Sequence, residues 1–87
     1  MSMNFDRPVN EAALAKIKEI FGQPTASDGK TLLFDEMGEI DSRDMKKIAN
    51  LAKQPAVIEV HGDGDIKELG DGTRYKVTPR GWRKLTG

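Results

Sequence analysis

The segment from residue 42 to residue 53 constrains the fold most strongly, because its two sides have opposite chemistry. Asp41 or Ser42 can cap a helix here, and Pro55 ends it. At about 100° per residue, one side is apolar: Met45, Ile48, Ala49 and Ala52. The other side spans about 120° of arc and carries bases and one amide but no acid: Arg43, Lys46, Lys47, Asn50 and Lys53. The chain must therefore supply a core for one side of this helix and leave the other to solvent or to an anionic partner.

The length of the chain allows only one such core. We expect the 87 residues to form a single small domain, 1–87, whose modest stability a homodimer partner would increase. The absence of cysteine excludes disulfides and thiolate metal sites. No apolar run has the length of a membrane span, and the first residues lack a signal-peptide core. These features predict a cytoplasmic protein that does not contact a membrane.

Local signals predict two further elements before this helix. An apolar stripe at helical spacing predicts a helix over 10–21, capped by Asn10 and ended by Gly22. Residues 31–38 fit either a short helix or a strand. The one-turn spacing of two of their apolar side chains favours the helix.

The second half of the chain has the alternation that is typical of strands. β-Branched residues predict a strand over 56–61, and the alternation in 73–78 predicts its antiparallel partner. The Gly- and Asp-rich connection between them leaves room for a short strand at 66–69. Thr78 as an N-cap, followed by proline, predicts a short last helix over 79–85.

The order of these elements resembles the winged helix-turn-helix family. Residues 37–42 resemble the turn between two helices, and "YKVTPRGWRKL" has the pattern that closes many wings: Val77, Thr78, Gly81 and Leu85. In that pattern glycine permits a close approach. The resemblance covers about 31–85 and implies a small α+β fold: three helices, then a β-hairpin wing and a short C-terminal helix. The acidic turn and the acidic wing tip depart from the family pattern.

The resemblance implies a DNA-binding protein, most simply a small dimeric transcriptional regulator. The helix over 42–53 would insert into the major groove of double-stranded DNA, and the wing would contact phosphates. Arginine suits guanine, asparagine suits adenine, and lysine mostly contacts phosphate. The residues expected at DNA are Arg43, Lys46, Lys47, Asn50, Lys53, Arg74, Lys76 and Arg80.

The net charge of zero leaves a second function open, because a dedicated DNA-binding domain is usually basic. Asp63, Asp65 and Asp71 lie at the tip of the predicted wing and could form an acidic patch for a host protein. This alternative is a non-catalytic inhibitor or adaptor, like the small phage proteins that block host machinery, anti-CRISPR proteins included. If the basic helix and the basic residues after Thr73 share one molecular face, DNA binding is favoured. If acidic residues lie between them, binding of a protein partner is favoured.

Few residues could carry catalysis or hold a cofactor. His61, Asp63 and Asp65 resemble a metal-binding set. The next ligand position of a calcium loop, however, holds Lys67. The Gly-rich stretch lacks the pattern of a phosphate loop, and no nucleophile has a base partner in the sequence. We therefore expect no enzyme activity, no metal and no cofactor, and we expect Trp82 in the core.

Overall fold

The computed structural model describes residues 1–35 and 40–85. In these residues the chain forms two helices and seven short strands. The helices are α1 (Glu11–Phe21) and α2 (Ser42–Ala52), and the strands are β1 (Ser2–Asn4), β2 (Ala26–Ser27), β3 (Thr31–Leu33), β4 (Val57–Glu59), β5 (Ile66–Glu68), β6 (Arg74–Thr78) and β7 (Gly81–Lys84). The first sheet has the strand order β2-β3-β1-β4, and the second sheet has the order β5-β6-β7. Both sheets are antiparallel, so this is a small α+β fold.

Both amphipathic helices form as predicted. The Asn10 side chain accepts a hydrogen bond from a backbone N–H of the first turn of α1 (2.9 Å), and Gly22 ends that helix with φ 84°. Asp41 caps α2 in the same way (2.8 Å), and Lys53 ends it in the left-handed region with φ 58°. Caps are local interactions, which explains why the sequence predicts these boundaries well.

The helices pack on one face of the first sheet, where β1 is a central strand. The sequence predicts no element before residue 10, yet Met3 of β1 lies opposite both Leu32 of β3 and Ile58 of β4. Ile17 of α1 and Ile48 of α2 pack into the same cluster and, like Met3 and Leu32, are 0% exposed. Each such side chain contributes about 1.5–3 kcal/mol by leaving water. This cluster holds the apolar side of α2 in place.

The predicted short helix over 31–38 is wrong in its first three residues, which form β3. The apolar run there reflects burial on both faces of a strand, a pattern that sequence alone does not separate from a helix. Leu32 and Phe34 belong to the cluster under the helices, whereas Leu33 belongs to the cluster under the second sheet. Residues 36–39, which include half of the predicted turn over 37–42, lie outside the described residues.

The predicted pairing of 56–61 with 73–78 is also wrong, although strands form in both segments. β4 pairs with β1, and β6 lies between β5 and β7. The strand expected at 66–69 does form, as β5. β1 takes the position next to β4, and the strands that follow β4 form a separate sheet. The architecture is therefore not three helices followed by a two-stranded wing and a C-terminal helix.

The predicted last helix over 79–85 is wrong, because this segment contains β7. The Thr78 hydroxyl accepts a hydrogen bond from the Arg80 N–H (3.2 Å) and donates one to the Gly81 carbonyl (2.8 Å). These bonds close a hairpin turn over Pro79 and Arg80. Gly81 leaves that turn with φ 108°, which no helical residue has. Threonine thus stabilises a hairpin turn here, with the same side-chain chemistry that would have capped a helix.

The second sheet packs on the face of the first sheet that points away from the helices. Leu33 is the contact point on the first sheet, and Leu69 and Trp82 cover it from the second. Trp82 is buried, as predicted, and its Nε1–H donates a hydrogen bond to the Phe34 carbonyl (3.0 Å). The molecule therefore has the first sheet in the middle, the two helices on one side and the second sheet on the other.

Candidate nucleic-acid interface

The outward side of α2 holds the basic and amide residues singled out above, and all of them are exposed: Arg43, Lys46, Lys47, Asn50 and Lys53. The buried residues Ile48 and Ala52 lie on the opposite side of the helix. Asp41 Oδ2 lies 3.5 Å from Arg43 Nη2 in an exposed ion pair, and such pairs contribute about 1 kcal/mol or less. Within residues 1–35 and 40–85, no carboxylate lies within 4.0 Å of the lysine ammonium groups of this face. We call these five residues the α2 face; it is electropositive and points away from the core.

Arg7 extends the α2 face at the C-terminal end of the helix. Its Nη2 donates a hydrogen bond to the Lys53 carbonyl (3.0 Å), where the negative end of the helix dipole favours a cation. The Arg7 backbone also exchanges two hydrogen bonds with the buried side chain of Gln54, at 2.9 and 2.8 Å. Sequence reasoning missed Arg7, because 46 residues separate it from Lys53 and its own segment has no periodic signal.

The other three residues expected at DNA lie on the second sheet. Arg74 and Lys76 are exposed on β6, and Arg80 is exposed in the turn that follows. Tyr75 and Val77 alternate with these two basic residues of β6 and pack against the cluster under the second sheet. Since successive side chains of a strand point to opposite faces, Arg74 and Lys76 lie on the outer face of the second sheet.

The eight residues expected at DNA therefore form two surfaces rather than one. α2 packs on one face of the first sheet, and the second sheet packs on the other. The α2 face and the basic residues of the second sheet consequently lie on opposite sides of the molecule. A DNA site that uses all eight residues on a single face is excluded by this arrangement.

The acids considered for a protein partner are divided as well. Asp63 and Asp65 precede β5, whereas Asp71 follows it, so they lie at opposite ends of that strand. Asp65 Oδ2 accepts a hydrogen bond from the Gly62 N–H (2.9 Å), and Asp71 Oδ1 accepts one from the Thr73 N–H (2.9 Å). The backbone and side-chain hydrogen bonds from Thr73 also lower the pKa of Asp71. Two of the three carboxylates thus stabilise tight turns, and the three do not form one patch.

A polar cluster between the sheets superficially resembles a catalytic triad. Ser2 Oγ lies 2.9 Å from His61 Nε2, and Glu59 Oε2 lies 3.6 Å from the same ring nitrogen. In a Ser-His-acid triad the acid instead contacts the other ring nitrogen, and the serine is accessible to substrate. Ser2 is 0% exposed. Burial lowers the pKa of His61, whose ring also contacts Trp82 edge-on, with 5.1 Å between the ring centroids. The cluster therefore connects the two sheets and does not have triad geometry.

Metal and membrane sites are further possibilities for the part of the chain that the structure describes. There, no group of three or more His, Cys, Asp or Glu side chains is placed to hold a metal ion. No helix within residues 1–35 or 40–85 is both long and apolar enough to cross a bilayer.

No protein-family model matches the chain, and searches of curated proteins and of solved structures likewise find no match. The function is therefore inferred from the geometry and charge of the described surfaces.

Proposed function

We propose that this protein is a non-enzymatic DNA-binding protein that contacts double-stranded DNA through the α2 face. The observation that carries the proposal is a capped, core-anchored helix whose exposed side holds four cations and one amide. Phosphate contacts from lysine and arginine dominate the affinity of proteins for nucleic acid. A rigid helix also places those cations without the entropic cost of ordering a loop.

The dimensions of α2 suit the major groove of B-form DNA. That groove is about 12 Å wide, and a helix with its side chains measures about 10–12 Å across. Arg43 and Asn50 are seven residues apart, which is about 10 Å along the axis, or about three base pairs. Arginine and asparagine at these positions have the chemistry to read guanine and adenine, while the lysines between and beyond them reach phosphates. The deep, narrow major groove of A-form RNA does not admit such a helix.

The alternative of an acidic protein-binding patch has less support. Asp65 and Asp71 each accept a hydrogen bond from their own turn, and they lie at opposite ends of β5. The α2 face, by contrast, lies on one helix, and Asp41 at the start of that helix is the one acid within 4.0 Å of its cations among the described residues. The two basic surfaces do not share one face, so the condition that favoured DNA binding by all eight residues is not met. The proposal is therefore restricted to α2, which needs no contribution from the opposite side of the molecule.

A duplex titration tests the proposal. We expect the affinity for a duplex of roughly 20 base pairs to fall between about 50 and 200 mM salt, because bound cations release counterions from DNA. The double substitution Lys46→Ala and Lys47→Ala removes two phosphate contacts. It should reduce the slope of log affinity against log salt by about 1.8, at about 0.9 per contact. Fluorescence anisotropy of a labelled duplex measures both quantities.

Lys18→Ala is the matched control, because Lys18 is an exposed helical lysine on α1 rather than α2. Its slope should equal that of the wild type. A wild-type protein that does not bind at about 50 mM salt would refute the proposal. An α2 double variant that keeps the wild-type affinity and slope would refute it as well.

A further inference from the structure

The outer face of the second sheet carries a basic cluster in which two cations lie directly opposite each other. Lys76 of β6 and Arg83 of β7 are direct cross-strand partners, and both are exposed. Arg74 lies two residues from Lys76 and therefore on the same face. Like charges directly opposite each other destabilise an antiparallel pair. In the described part of the chain, none of the three has a carboxylate within 4.0 Å.

We infer that this outer face is a second phosphate-binding site and that the protein bridges two DNA duplexes. This inference depends on the proposed function of the α2 face. The two surfaces lie on opposite sides of the first sheet. DNA is stiff, with a persistence length of about 150 base pairs, so a short duplex on α2 does not fold round to the second sheet. The cations of the second sheet must therefore meet a separate duplex.

The chemistry of this face favours phosphates over base edges. Arg80, in the turn before β7, adds a fourth exposed cation beside Arg74, Lys76 and Arg83. Glu68 is the one acid among these outer residues of the described strands, and it lies opposite Arg74. The face offers no amide to read adenine, and a sheet surface does not enter the major groove as α2 does. We therefore expect the second site to bind without sequence preference and to be sensitive to salt.

A two-duplex capture experiment tests the inference. An immobilised duplex of roughly 20 base pairs is loaded with the protein and washed, and a second, fluorescent duplex is added. Arg74 is left out of the count because Glu68 lies opposite it; the other three cations (Lys76, Arg80 and Arg83) predict that the affinity of capture falls about 40-fold between about 50 and 200 mM salt. In the double variant Lys76→Thr and Arg83→Thr one contact remains, so capture should be weak and change only about fourfold over that range. Threonine retains a high strand propensity, and both positions are exposed, so the sheet should still form.

Two comparisons make the result specific to charge on this face. The exchange Lys76→Arg with Arg83→Lys keeps both charges and should capture like the wild type. The threonine variant should still load onto the immobilised duplex through α2, which shows that it is folded and binding.

The possible failures are distinguishable. Wild-type protein that loads through the α2 face but captures no second duplex would overturn the bridging inference and leave the proposed function standing. Wild-type capture by the threonine variant would also overturn it, because bridging would then come from copies of the protein that associate with each other. Failure to load at all would overturn both the inference and the function.

Discussion

Gly81 is the position where a single methyl group should be most damaging. It begins β7 with φ 108°, in a region that side-chain-bearing residues rarely adopt. A Cβ added there would lie 2.3 Å from Asp35 Cγ. The Asp35 carboxylate has little freedom to withdraw, because its Oδ1 accepts hydrogen bonds from the Trp82 N–H (2.9 Å) and the Thr25 hydroxyl (2.7 Å). Gly81→Ala must therefore strain the backbone and also displace a bonded carboxylate.

The expected cost follows from these two effects. The backbone conformation should cost alanine about 1–3 kcal/mol, and forcing a methyl group into occupied space should cost about 1–3 kcal/mol more. Together they cost about 2–6 kcal/mol, with a middle value of about 4 kcal/mol, against a total stability of about 4–13 kcal/mol for a domain of this length. We expect Gly81→Ala to lower the free energy of unfolding by that amount in urea titrations followed by tryptophan fluorescence, or to prevent folding.

Gly72→Ala is the control for the backbone effect alone. Gly72 has φ 87°, but nothing lies within 4 Å of the site of its Cβ, so its cost should stay near the lower value, about 1–2 kcal/mol. Combining Gly81→Ala with Asp35→Ala should cost less than the sum of the two single changes, because Asp35→Ala removes the carboxylate that the new methyl group would overlap. Equal costs for Gly81→Ala and Gly72→Ala, or strict additivity in the cycle, would refute the close approach to Asp35.

Two further predictions concern pH and a contact between turns. Burial lowers the pKa of His61 in the folded state, so the unfolded chain binds the proton more readily and the free energy of unfolding should fall as the pH drops below about 6.5. His61→Gln should make the free energy of unfolding depend less on pH in urea titrations from pH 7.5 to 5. An equally steep pH dependence in the variant would show that another group causes it. Asp28 accepts hydrogen bonds from the backbone N–H groups of Lys30, Thr31 and Gly70, and although burial raises its pKa, these bonds hold the pKa below its ordinary value. Asp28→Ala should therefore lower the free energy of unfolding by about 2 kcal/mol at neutral pH, and the wild type should lose this contribution as the pH falls below about 3.8 through the lower folded pKa. An Asp28→Ala variant as stable as the wild type in the same titrations would show that these hydrogen bonds, including the one from Gly70, contribute nothing to the free energy of unfolding.

Local signals predicted the two capped helices and the positions of three strands, but they missed β1, the pairing of the strands, and the strands that replace two predicted helices. Asn10 and Asp41 accept hydrogen bonds from the first turn of their own helices, so the information that starts each helix lies within a few residues. β1 has three residues, too few for a period to be recognised, and its partners come from distant parts of the chain: Ser2 lies opposite both Leu33 and Glu59. Thr78 shows the same limitation, since one side chain can begin a helix or close a turn. The surrounding chain decides between the two.

The sequence by itself determined α1, α2 and the composition of the α2 face, because capping and a 3.6-residue period act within one element. The resemblance implied a close approach at Gly81 by a closing helix, and the segment forms β7 instead. Only the tertiary structure decided what that glycine approaches, which strands pair, and that the bases of β6 lie across the first sheet from α2. The physical reason is that strand partners are selected by burial of side chains far apart in the chain. The side of the molecule on which a charged strand finally lies is a consequence of that selection.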